Sequence, residues 1–136
     1  MIRDASKFES LLDRTCRFVR ETAIPNEERV DIDGQLPNEI VEEMRRIGLF
    51  GWSIPEEFAG AGLTAEELCL ANIELSQCAV VFRARCGTNT GIGAEAIIAD
   101  GTREQKENYL PRLASGEIIA CLAATEPDAG SDLLNG

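Results

Sequence analysis

The sequence predicts an all-α fold for most of its length, and three observations carry that reading. Ahead of three apolar stretches a Ser or Thr is followed three residues later by Glu or Gln (Ser6 and Glu9, Thr64 and Glu67, Thr102 and Gln105), the reciprocal cap that satisfies two orphan amides at a helix start. After each of these pairs apolar residues recur at three- and four-residue spacing, the period of one helix face. The single run with strand character, Ile118, Ile119, Ala120, Cys121 and Leu122, comes only near the end, between Gly116 and Pro127. The pattern therefore predicts about five helices and then one strand, over residues 118–123.

The elements follow in order. Phe8, Leu11, Leu12, Thr15, Phe18 and Val19 share one face of a first helix that runs to about Thr22, with Pro25 beyond its end. Residues 25–36 (PNEERVDIDGQL) are polar, with Gly34 as a turn former, and read as a connecting loop. Pro37, whose missing amide costs nothing in a first turn, opens a second helix striped by Ile40, Val41, Met44 and Ile47 and stopped by Gly48. Residues 49–63 gather Phe50, Trp52 and Phe58 among glycines and a proline, too irregular for either period, so a structured loop is expected. From Thr64 one long helix runs through Leu68, Leu70, Ile73, Leu75, Cys78 and Val81, apolar on most sides and so buried on several. GTNTGIG (87–93) breaks it and residues 94–100 resume a helix. Thr102 opens one more, carrying Tyr109, Leu110 and Leu113, which Pro111 is expected to kink or split before Gly116 closes it.

Composition narrows the chemistry. The 136 residues carry a net charge of −11, with a basic patch nowhere in view, which makes nucleic acid and anionic membrane poor partners. No apolar run approaches the roughly 20 residues needed to span a bilayer, and the N-terminus lacks a secretory pattern, so a cytoplasmic protein is expected. There is no histidine, which removes Ser-His-Asp and Cys-His catalysis and any His-containing metal site from this chain. The five cysteines (Cys16, Cys69, Cys78, Cys86, Cys121) are widely spaced without zinc spacing, and read as reduced core residues. No metal site is expected.

Several motifs have a bland reading that wins. GIGAEA (91–96) matches G-x-G-x-x-A, but the acidic residue expected about 20 positions later at a strand end is missing, so close helix packing through small residues is preferred. Adjacent acids such as Glu27/Glu28, Glu42/Glu43, Glu56/Glu57 and Glu66/Glu67 do not face each other on a helix and read as solvated faces; Arg83 and Arg85 read as flanks of a buried helix. The segment 124–132 is different in kind. It follows the strand, where a rigid scaffold presents ligand contacts, and it offers the hydroxyls of Thr125 and Ser131, the permissive backbone of Gly130 and the fixed backbone of Pro127. These suit the polar edge of a heterocycle, although a plain turn fits the same residues.

That segment, ATEPDAGSD, resembles the flavin-contacting signature of the acyl-CoA dehydrogenases. Residues 36–62 (LPNEIVEEMRRIGLFGWSIPEEFAGAG) resemble the same family's N-terminal helix and loop, and residues 101–117 (GTREQKENYLPRLASGE) the helices just before the signature. The resemblance covers about residues 30–132 in the family's order. It implies an N-terminal α-helical domain over residues 1–116 and, over 117–136, the start of a middle β-domain that the strand would need for pairing. It also implies FAD as cofactor, an acyl-CoA substrate, an electron-transfer flavoprotein or similar acceptor, and a homo-oligomer, tetramer or dimer.

By position the resemblance assigns Leu122, Ala123, Ala124, Thr125, Glu126, Pro127, Gly130 and Ser131 to the cofactor, with Thr125 on the polar edge of the isoalloxazine ring. Ser131 would contact either the cofactor's phosphates or the thioester arm of the substrate. In that family the catalytic glutamate lies in the C-terminal bundle, so no catalytic residue is expected in this chain, and Glu126 is not promoted to base. Ala124 stands where the family usually has Leu, Met or Val, and Phe58-Ala59 replaces a commoner Tyr-Gly. The expected function is α,β-dehydrogenation of acyl-CoA thioesters in fatty acid metabolism, to which this chain contributes binding without being active alone. A non-catalytic helical interaction module, and a related flavin-dependent acyl-CoA or nitroalkane oxidase, are the alternatives.

Overall fold

In the computed structural model, which describes residues 1–127, 130 and 131, the polypeptide is helical from Ala5 to Ala114 with short connections. Helix α1 (Ala5–Arg17) passes directly into a π-helical segment (Phe18–Ala23) and a 3₁₀ turn (Ile24–Asn26). Its cap is Asp4, whose carboxylate accepts the Lys7 amide at 3.0 Å, and not the expected Ser6: the Asp lies two residues earlier and meets the amide first. Phe8, Leu11, Phe18 and Val19 are buried as the spacing requires.

The loop expected over residues 25–36 contains a helix, α2 (Glu27–Asp33). A polar composition hid it because only Val30 is buried; Glu27 and Glu28 favour its first turn, and Gly34, at φ 65°, closes it by donating its amide to Val30 at 3.0 Å. Helix α3 (Asn38–Arg46) begins one residue after Pro37 and ends before Gly48, at φ 82°. The expected long helix is two, α4 (Ala65–Leu75) and α5 (Val80–Gly87). The Ala79 amide, at the start of α5, donates to the Glu27 carboxylate at 2.5 Å, so a side chain far off in sequence stabilises the break. Helices α6 (Ile92–Asp100) and α7 (Arg103–Ala114) complete the set of seven α-helices among the described residues. The capping boxes at Thr64 and Thr102 form as predicted. Pro111 does not split α7; the carbonyl it leaves without a donor belongs to Glu107, on the exposed side.

Two apolar clusters hold these helices. The larger gathers Phe8, Phe18, Met44, Phe50, Trp52, Leu75, Phe82 and their neighbours from α1 to α5. The smaller joins Ile54, Phe58, Ala94, Leu110, Leu113 and Ala114. The loop over 49–63 links them: it is structured as expected, with a 3₁₀ turn (Leu49–Gly51) lying among α3, α5 and α7 and another (Glu56–Phe58) against α7. Amides of Ala61, Gly62 and Leu63 donate back to Gly51, Ile54 and Trp52 at 2.8, 2.8 and 2.7 Å. Gly60 lies so close to Ile54 that a Cβ there would overlap its backbone. Arg103 lies over the Phe58 ring at 5.3 Å and pairs with Glu57, tying the start of α7 to this loop.

After Gly116, no β-ladder runs through residues 118–123 among the described residues, because no second strand lies alongside to complete one. The cysteines are free, as expected, but only Cys78 and Cys86 are core residues; Cys69 and Cys121 are exposed and Cys16 is half-buried. Among the described residues no helix is long and apolar enough to cross a membrane.

Candidate functional site

The segment that carries the candidate site leaves the end of α7 and crosses the start of α6. Ile118 and Ala120 turn toward the smaller cluster and are half-buried, whereas Ile119 and Cys121 are exposed. This alternation is that of an extended chain with one face on the core. Gly93, the last glycine of GTNTGIG, makes the approach possible: a Cβ there would overlap the Ala120 methyl and come within 2.8 Å of the Thr88 carbonyl. The preferred reading of GIGAEA as close packing through small residues therefore holds.

Beyond Ala120 the predicted contact residues come to the surface. Leu122 is 64% exposed, Ala123, Thr125, Glu126, Pro127 and Ser131 are exposed, and Ala124 and Gly130 are half-buried. Thr125 and Gly130 meet across the turn, since a Cβ on Gly130 would lie 3.8 Å from the Thr125 Cγ2. Asp128, Ala129 and Asp132 of the motif lie outside the described residues. The groups on offer are hydroxyls, the Glu126 carboxylate, apolar side chains and backbone amides, without a cationic side chain among residues 122–127, 130 and 131. Such a set suits an uncharged polar edge lying on an apolar face better than it suits a free phosphate.

The residue that sequence reasoning missed is Asn89. It is 0% exposed, and its Nδ2 donates to the carbonyls of Leu113 and Ile118 at 2.9 Å each while its Oδ1 accepts the Ala120 amide at 2.9 Å. The legible signal was a carboxamide between two glycines where the flanking helices are apolar. Burial pushes the Cys86 thiol up to about 12 and raises Cys78 as well, so both stay protonated at neutral pH. Among the described residues no three His, Cys, Asp or Glu side chains come together to hold a metal ion. A cavity of about 540 Å³ lies elsewhere, lined by Phe8, Leu11, Arg14, Ala61, Leu63 and Glu67 among others, and shares no residue with the segment.

Residues 6–117 match the model of the acyl-CoA dehydrogenase N-terminal domain. The chain is 40% identical over 128 residues to (2S)-methylsuccinyl-CoA dehydrogenase of Cereibacter sphaeroides, covering 93% of this chain and 23% of that protein. An acyl-CoA dehydrogenase of Bacillus anthracis, solved in complex with FAD, superposes with a TM-score of 0.79 at 32% identity over 98% of this chain and 23% of its own. A chain in the structure of the electron transferring flavoprotein of Acidaminococcus fermentans superposes with a TM-score of 0.83 at 28% identity, over 98% and 35% of the two chains. This helical layer matches the N-terminal domain of the acyl-CoA dehydrogenases, and the chain belongs to that family. It spans between about a quarter and about a third of the length of these relatives.

Proposed function

We propose that this chain is the cofactor- and substrate-facing helical part of an FAD-dependent dehydrogenase that introduces an α,β double bond into acyl-CoA thioesters. The observation that carries the reading is the exposure of Leu122, Ala123, Thr125, Glu126, Pro127 and Ser131 at the end of the helical layer, where hydroxyls, backbone amides and a bare leucine side chain are open to a ligand. The relative solved with FAD supports the choice of cofactor. Residues 1–116 form the α-domain and residues 117–136 begin the β-domain that follows.

FAD, when bound, supplies the hydride acceptor; the chain supplies its placement. Leu122, Ala123 and Ala124 offer an apolar surface to the ring, and the Thr125 hydroxyl donates to an acceptor on its polar edge. Glu126, Pro127 and Gly130 shape the turn so that backbone amides reach the ring. The Ser131 hydroxyl bonds either the cofactor's phosphates or the thioester arm of the substrate. Resemblance supports an electron-transfer flavoprotein as acceptor and a homo-oligomeric assembly, and five free cysteines fit a reducing compartment such as the cytoplasm.

The test is the visible flavin absorption of the intact gene product and its bleaching on addition of acyl-CoA. Thr125→Val should weaken flavin binding by about tenfold, the worth of one hydrogen bond to a buried acceptor. A colourless protein that does not respond to acyl-CoA would overturn the reading. A second reading, a helical interaction module, is favoured by the exposure of Ile73, Val80 and Ile92. Flavin-free protein that co-purifies in a defined stoichiometric complex would support it over the first.

A further inference from the structure

We propose that Asn89 is the positioning residue of the flavin-contacting segment: its carboxamide takes the place of a neighbouring parallel strand along Ile118–Ala120 and so fixes how residues 121–127 leave the helical layer. The proposal rests on the flavin reading of that segment and adds to it a residue that the reading did not contain.

The argument is one of hydrogen-bond pattern. In a parallel ladder, a residue of one strand donates its N–H to the carbonyl of residue i−1 across the gap and accepts the N–H of residue i+1. Asn89 does both, with Nδ2 to the Ile118 carbonyl and Oδ1 from the Ala120 amide, each at 2.9 Å. Its primary amide carries an N–H on the same side as its C=O, which a trans peptide group lacks, so this one group presents the donor and acceptor that a strand residue takes from two successive peptide groups. The remaining Nδ2 proton goes to the Leu113 carbonyl in the last turn of α7, which also accepts the Gly116 amide at 3.0 Å. This network also fixes the amide's orientation, because a flipped carboxamide would set oxygen against two carbonyls and an N–H against the Ala120 amide.

Three constraints act on the same short stretch. Asn89 holds Ile118 and Ala120 from one side, the Ile118 amide donates to the Arg112 carbonyl at 3.3 Å, and the Ala120 methyl sits against Gly93. The edge opposite Asn89 is left to Ile119, whose N–H and carbonyl have no partner among the described residues and whose side chain is half out of the protein. The stretch is therefore a sheet edge closed on one side by a side chain and open to a strand on the other. Because Thr125 is only five residues beyond Ala120, a shift of the clip carries directly into the position of its hydroxyl. A cap on α7 alone would need only the bond to Leu113; the two bonds to the segment are what set its course.

The intact flavoprotein provides the test, through Asn89→Ser, Asn89→Asp and Asn89→Leu. Water can fill the space left by Ser, which keeps that variant folded even where Leu, which leaves the Ile118 carbonyl and the Ala120 amide without a partner, does not fold. The expected result for Ser is an FAD dissociation constant raised by about tenfold or more. A displaced visible flavin band should accompany it, with a thermal midpoint of the apoprotein close to wild type. Asp keeps the acceptor toward Ala120 and should fall between Ser and wild type. Amide hydrogen exchange reads the clip itself: Ala120 should be protected in the wild type and lose about tenfold or more of that protection in the Ser variant. A folded Ser variant with wild-type flavin affinity and an unshifted band overturns the positioning role. Wild-type Ala120 exchanging at the unprotected rate overturns the clip. Wild-type protein that protects Ala120 but binds no flavin leaves the clip in place and removes the flavin reading on which its purpose rests.

Discussion

The two apolar clusters hold their helices by different means. The larger one works by area: Phe18, Phe50, Trp52 and Phe82 are essentially inaccessible, Phe18 and Phe82 meet edge to face with centroids 6.2 Å apart, and helices α1 to α5 all contribute. The smaller one has little area to use. Helix α6 (IGAEAIIAD) is apolar nearly all round, yet it buries only Ala94 and leaves Ile92 59% exposed. A helix apolar on every side normally lies inside a protein, so its outer face is built to be covered. What keeps α6, α7 and the following segment in register is a short set of polar and steric devices: Asn89, Gly93 and the Thr102 cap. The lesson is that stability and site geometry reside in separate halves of the molecule, the first insensitive to detail and the second dependent on it.

The largest effect that tests this contrast comes from deleting one large side chain in each cluster. Phe82→Ala should cost about 3–5 kcal/mol in equilibrium unfolding and bring down all helices together, whereas Leu110→Ala should cost about 2–3 kcal/mol, because a sparse cluster collapses more readily onto the gap. Equal losses would mean that the two clusters are one energetic unit. Next comes Gly93→Ala, which pushes a methyl into Ala120 and should cost about 1–3 kcal/mol. Its signature is loss of protection at Ala120 beyond the fall in global stability; a uniform loss of protection would break the separation of stability from geometry.

A smaller effect of opposite sign belongs to the loop between the clusters. Ala59 sits at φ 64°, a left-handed conformation that costs a residue with a Cβ about 1–2 kcal/mol, and Ala59→Gly should stabilise by about 1 kcal/mol once the freer unfolded chain is counted. A lower thermal midpoint for that variant would refute the strain.

The last prediction concerns acid. The Glu67 carboxyl is held below the usual carboxylate range, first by the Thr64 amide that donates to it and then by the Arg3 amide. The unfolded chain therefore takes up this proton before the folded one does. The corresponding stability is present above the ordinary carboxylate pKa and is lost as pH falls through the lower folded value. Glu67→Gln should flatten the acid limb of the stability profile and leave its neutral limb parallel to wild type. An unchanged acid limb would show that the carboxylate carries no such linkage.

Much of this was legible in the residues, and the failures have physical causes. Local, self-contained devices could be read: the Thr64 and Thr102 caps, the apolar stripe of α3, the glycine stop at Gly48. What could not be read was anything completed by a distant group. The break at Ser76–Ala79 exists because Glu27 meets the Ala79 amide, and α2 is helical around one buried valine; neither partner is visible from the other's neighbourhood. Ser6 made a sound cap on paper, but Asp4 did the same work two residues earlier. Cys69 and Cys121 read as core only because composition cannot say which face of an element meets solvent. In the candidate site the hydroxyls and the glycine were evident, since chemistry is written in residue types, while Asn89 was hidden because its partners are backbone groups about thirty residues on.

By itself, then, the sequence determined that the chain is helical, where most helices start, and which short segment carries the hydroxyls and the glycine of the site proposed, because periodicity, caps and side-chain chemistry are local properties. Only the tertiary structure decided which buried amide holds that segment and which of its edges stays open. Those outcomes depend on hydrogen bonds that close across the fold, and a backbone group has no partner until the chain has brought one to it.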